Sequence, residues 1–136
     1  MSLRLFSLCA VPLAALLACG GAEESSSAAA QCVTGGAIQV TTTTASPSCL
    51  AVPLGGGLTF TNSGSELVTI RSNPHLTHGS CPELDTLPTL GAGESVSVTM
   101  PSTAKSCGYH RHETGAPLGS IRVGQGGGGP GDPYEQ

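Results

Sequence analysis

Short stretches in which apolar and polar residues take turns run through the middle of this chain and leave few folds open to it. Leu58-Thr59-Phe60-Thr61, Ser95-Val96-Ser97-Val98-Thr99-Met100 and Ser120-Ile121-Arg122-Val123 alternate in this way, and Ile38-Gln39-Val40, Leu50-Ala51-Val52 and Val68-Thr69-Ile70 add three shorter runs. Side chains of a strand point alternately to its two faces, so each run predicts a strand with one buried face. Ser46-Pro47-Ser48, Gly55-Gly56-Gly57, Asn62-Ser63-Gly64-Ser65 and Gly91-Ala92-Gly93 separate the runs with turn-forming residues. No stretch carries a convincing helical period. Six or seven one-faced strands bury their apolar sides by packing as two sheets, an all-β sandwich. A chain of 136 residues holds one such core.

The ends read differently. Arg4 followed by the apolar run Leu5 to Leu17, broken by Pro12, has the length and charge of a signal peptide and is too short to cross a bilayer. Leu16-Leu17-Ala18-Cys19 resembles the lipobox of bacterial lipoproteins, which implies cleavage after residue 18 and lipidation of Cys19. Gly20 to Ala30 is then a polar, flexible tether, and several acyl chains anchor a protein stably where one would not. The tail from Gly124 to Gln136 holds six Gly and two Pro without apolar period and reads as disordered. The division is therefore a signal peptide (1–18), a tether (19–31), a folded domain (32–123) and a tail (124–136). Membrane contact is through the lipid, and the place is the bacterial cell envelope, on the periplasmic or outer-membrane side.

Composition removes some functions. The four aromatics include no Trp, so stacked-base recognition has almost no platform. Five basic against nine acidic residues give −4, and loss of Arg4 with the signal makes it −5. Neither value suits a nucleic-acid backbone. Six cysteines in a chain of this size point to an oxidising compartment.

Ser46-Pro47-Ser48-Cys49-Leu50-Ala51-Val52-Pro53-Leu54-Gly55-Gly56-Gly57-Leu58-Thr59-Phe60-Thr61-Asn62 resembles the second and third strands of cupredoxins. Gly91 to Met100 is similar to the strand before their metal loop, and Gly108-Tyr109-His110-Arg111-His112 through Val123 to that loop and the closing strand. The resemblance spans residues 37–123 and implies a Greek-key β-sandwich that binds copper, as a monomer with a redox or copper-delivery protein partner. It also implies two His, a Cys thiolate and a Met as ligands, since soft sulfur with imidazole suits copper. Here the corresponding positions hold Val68, Tyr109, His112 and Pro117. A second register makes Cys107 the thiolate, five residues before His112, again without a Met.

All four histidines fall in two clusters, Pro74-His75-Leu76-Thr77-His78 and Tyr109-His110-Arg111-His112. The pair resembles bacterial cupredoxin-like proteins with a Pro-His-x-x-His segment and a Tyr-His-x-His loop, which implies His75, His78, His110 and His112 as metal ligands. Imidazoles without thiolate suit Cu(II) or Zn(II) in a site lacking the intense blue band. The plain reading beside it is four loop histidines that bind nothing. His110, counted along an extended segment from His112, is expected to point toward solvent. An ordinary strand from Val68 to His75 would carry His75 and His78 roughly 20 Å away from the metal end. Cys32, Cys49, Cys81 and Cys107 allow three pairings. Cys32–Cys49 with Cys81–Cys107 is preferred, because the second bridge returns one His loop to the other; a thiolate at Cys107 would instead leave Cys81 odd.

Catalytic readings are weaker. His110-Arg111-His112-Glu113-Thr114-Gly115 is similar in part to the copper segment of copper/zinc superoxide dismutases, but Arg111 replaces an aliphatic and no zinc series accompanies it. Cupins place their Glu further from His-x-His than Glu113 stands. No Gly-x-Ser-x-Gly elbow is present, and Glu83 and Asp85 read as solvated loop acids. The reading is a non-enzymatic copper protein for storage, delivery or electron transfer, against a metal-free sandwich lipoprotein with a structural or partner-binding role.

Overall fold

The structure is a computed structural model and describes residues 31–125; the signal, the lipobox Cys19 and most of the tail lie outside them. Nine strands form two sheets: β1 (Val33–Thr34), β2 (Ala37–Val40), β3 (Ala45–Ser46), β4 (Cys49–Val52), β5 (Gly57–Asn62), β6 (Ile70–Ser72), β7 (Ser95–Thr99), β8 (Lys105–Arg111) and β9 (Pro117–Val123). One sheet runs β1-β4-β9-β8-β6 and the other β3-β2-β5-β7. Both are mixed, with β1 parallel to β4, β4 to β9 and β2 to β5, and no α-helix occurs among the described residues.

The alternating runs account for the core. In β5, Leu58, Phe60 and Asn62 are buried, while Thr59 and Thr61 turn outward and bond Ser97 and Ser95 of β7 at 2.8 Å each. Ile38, Val40, Leu50, Val52, Ile121 and Val123 fill the space between the sheets. Burying such side chains contributes about 1.5–3 kcal/mol each. Asn62, at the end of β5, is a clamp: its amide donates to Glu66 O and Leu90 O and accepts from Gly64 N, so no buried polar atom of its side chain is wasted.

Two strand expectations need correction. Val68-Thr69-Ile70 is not one strand: Val68 makes an isolated bridge to Leu90, and pairing with β8 begins only at Ile70. Gly108 to Arg111, read as part of the metal loop, belongs to a seven-residue strand, Lys105–Arg111. The sequence hid it because Gly108 breaks the apolar period and charged or polar residues fill four of the other positions.

Both predicted disulfides form. Cys32–Cys49 ties the N-terminal approach to β4, and Cys81–Cys107 ties the segment after β6 to β8. Cys81 and Cys107 are buried among the core residues.

Candidate metal centre

The site lies where β6, β8 and the β8–β9 turn meet. Arg71 pairs with His110 and Ser72 with Tyr109, so β6 runs beside the second His cluster. The chain then turns back at once: Asn73 N donates to Gly108 O, Ser80 N to Asn73 O, and His78 N to Pro74 O. That register answers the long-strand difficulty, because β6 ends at Ser72 and the 73–80 loop folds over β8. The Cys81–Cys107 bridge closes the loop immediately behind it.

The four imidazoles gather. His75 lies 5.0 Å from His110 and 5.8 Å from His112 between ring centroids, and His78 stacks on His110 at 5.3 Å with planes 13° apart. Nitrogens of His75, His110 and His112 come within 4.8 Å of one another, close enough for one ion; His78 stands beside this group without joining it. His75 Nδ1 and His110 Nε2 are 3.1 Å apart. Two nitrogens each about 2.0 Å from a shared ion stand about 2.8–3.3 Å apart, so this pair already has ligand spacing.

His110 is not on the solvent side, and the expectation that it would be misapplied the alternation, because residues two apart on a strand share a face. His110 is 1% exposed. The pairing of β8 with β9 slips after Tyr109, with Tyr109 opposite Gly119 and His110 opposite Pro117, and the 73–80 loop lies over His110. Burial, then the charge of His75, His78 and His112, lowers its pKa below the usual histidine value, with Asp85 opposing. The neutral form that a metal needs is thereby favoured.

Neighbouring groups fix the rings. Asn73 Oδ1 lies 2.9 Å from His110 Nδ1, and Ser72 O lies 3.0 Å from His78 Nδ1. A carbonyl oxygen only accepts, so Nδ1 of His78 carries a proton. His75 rests on the turn at Gly115, whose φ is +70°; a Cβ there would stand 3.1 Å from the imidazole. His112 is held by its backbone N–H to Thr69 O, and Glu113 accepts from Thr69 N and pairs with Arg111.

Several residues differ from their sequence readings. Tyr109, at the family's thiolate position, is a core residue, edge-on to Phe60 at 5.4 Å, with a buried hydroxyl that finds no partner and a pKa pushed up by burial. Val68 is equally buried. Cys107 is in a disulfide, which closes the second register. Met100, the one methionine among the described residues, is buried core. Asp85 is no solvated loop acid: it accepts from Ser72 N, Ser72 Oγ and Gly79 N at 2.7, 2.8 and 3.2 Å. Neither Asp85 nor Asn73 stood out in the sequence. The one available signal was Asn73 directly before the Pro-His-x-x-His segment.

Superposition on solved structures settles the architecture. A purple cupredoxin from Nitrosopumilus maritimus matches with a TM-score of 0.54 and 21% identity over 65% of this chain and 99% of that one. The fold is the cupredoxin fold. A reduced and an oxidised amicyanin variant match this cupredoxin domain with TM-scores of 0.52 and 0.51, each at 15% identity over 65% of this chain and 81% of theirs. No family model and no curated protein matches the sequence.

Proposed function

We propose that this cupredoxin domain binds copper through imidazoles alone, and serves copper storage, delivery or electron transfer from a lipid anchor at Cys19. The convergence of His75, His110 and His112 at one end of the fold carries the reading. The donor set fits the metal: three nitrogens are within reach of one ion, one pair has ligand spacing, and burial lowers the pKa of the His110 ring, which favours its neutral form. Borderline imidazole nitrogens suit Cu(II), and also Zn(II), whereas a thiolate would be needed for a blue centre. Bound copper would supply a one-electron couple.

The chain's own residues do the rest. His110 offers its nitrogen from the sheet, while His75 and His112 close the site from the 73–80 loop and the β8–β9 turn. In the metal-free state one proton lies between His75 Nδ1 and His110 Nε2, 3.1 Å apart, as a donor-to-acceptor hydrogen bond. To hold an ion, His75 and His110 would each present a lone pair, and the exposed His75 ring would pass the proton between them to water. His78 is a fourth imidazole at the rim, held by Ser72 O, and completes the set proposed from the sequence. A protein partner that takes or gives copper or electrons, a monomeric state and a cell-envelope location go with this reading.

The test is calorimetric titration of the protein with Cu(II), beside His75→Ala, His78→Ala, His110→Ala and His112→Ala. Equimolar binding that weakens most in the His110, His75 and His112 variants supports it. Binding no tighter in wild type than in the variants makes the domain a metal-free, partner-binding sandwich.

A further inference from the structure

Asn73 touches the buried histidine at the one atom the cluster does not use. Its Oδ1 lies 2.9 Å from His110 Nδ1, while His110 Nε2 faces His75. We propose that Asn73 is a positioning residue that holds the proton of His110 on Nδ1 and so leaves Nε2 as the nitrogen presented to the cluster, and that Gly108 is the residue that admits it. The assignment rests on reading the histidines as a metal site only in its consequence for binding. The protonation itself is a property of the metal-free protein.

The geometry is specific. Asn73 is fixed by its backbone, donating to Gly108 O and accepting from Ser80 N, and its side chain lies between His110 and Gly108. The amide Nδ2 then sits directly over Gly108, where a Cβ would collide with it. Any side chain at 108 would push the amide off His110. With the amide reversed, the NH2 would face Nδ1, the His110 proton would move to Nε2, and Nε2 would point that proton at His75 instead of a lone pair. A hydrogen-bonded second nitrogen fixes both tautomer and ring orientation of a ligand histidine, and losing such a partner costs 10–100-fold in metal affinity.

Long-range proton–nitrogen correlation spectra of the full-length, metal-free protein read the tautomer of His110 directly. Wild type should show Nδ1–H. Asn73→Ala should move the population to Nε2–H and weaken Zn(II) and Cu(II) binding by roughly 10–100-fold. Asn73→Asp keeps an acceptor and should keep Nδ1–H with affinity equal to wild type or tighter, which separates positioning from packing. Gly108→Ala should reproduce the Asn73→Ala tautomer with Asn73 in place. Nε2–H in wild type, or Nδ1–H unchanged in Asn73→Ala, overturns the proposal, as does an Asn73→Asp protein as weak as Asn73→Ala. A wild-type protein with Nδ1–H that takes up neither metal confirms the role of Asn73 and overturns the copper reading.

Discussion

His110 concentrates the chemistry of the molecule in one side chain. It is the only buried histidine, its two nitrogens are both engaged, and its neighbours come from β6, the 73–80 loop and the β8–β9 turn. His110→Ala should therefore cost at least as much copper affinity as His112→Ala, the reverse of the order expected for a solvent-facing His110. Titration calorimetry on the two variants decides between them. Tyr109, its neighbour, gives a stability prediction. A buried hydroxyl without a partner costs about 1–3 kcal/mol, so Tyr109→Phe should raise the unfolding free energy by about 1 kcal/mol in a denaturant titration. A loss of stability would mean that the phenol has a partner in solution. For Asp85, burial alone would raise the carboxyl pKa; the hydrogen bonds from Ser72 and Gly79, together with His78, outweigh it and the net pKa is lowered. A lowered folded pKa contributes stability that is present above the unfolded value and lost as pH falls through the folded one. The metal-free protein should accordingly lose stability below about pH 4, and Asp85→Asn should flatten that acid limb in pH-dependent melting curves. An acid limb unchanged in Asp85→Asn would place the titration elsewhere.

At the scale of elements, the two disulfides have separate jobs. Each closes a short loop, of 17 and 26 residues in separation, and removing either should cost about 3 kcal/mol of stability. Only Cys81–Cys107 ties the histidine loop to the strand that carries His110. Cys81→Ala with Cys107→Ala should thus lower both melting temperature and copper affinity, whereas Cys32→Ala with Cys49→Ala should lower the melting temperature alone. Equal copper affinity in both double variants would show that the 73–80 loop holds its place without the bridge. The strands with strict alternation, β5, β7 and the second half of β9, were legible in the sequence because burial on one face leaves a period of two. Lys105–Arg111 was not, because a strand crowded by Gly108, a disulfide and a site histidine carries no such period. Both disulfide pairings could be chosen because each joined segments that the sandwich brings together. The gathering of the histidines was legible as two clusters; its geometry was not, since it depends on the register of β6 on β8 and on a turn at Asn73.

Across the whole molecule, the site sits at one end of the sandwich. Lys105 pairs with Val123 at one end of the β8–β9 ladder and His110 with Pro117 at the other, so the metal-binding end and the end where the tail begins are opposite. If Cys19 is the anchor, Cys19→Ser should release the protein from membrane fractions or stall its processing, with mature mass as the second readout. Unchanged fractionation and mass would remove the anchor. On the proposed reading, imidazoles alone hold copper on a cupredoxin fold whose thiolate position is filled by a core tyrosine. Electron paramagnetic resonance with a visible spectrum on the copper-loaded protein tests it most directly. Nitrogen couplings, no intense blue thiolate band, and loss of the bound signal when His75, His110 and His112 are all replaced by Ala are expected. An intense blue band, or copper retained unchanged by that triple variant, would contradict it.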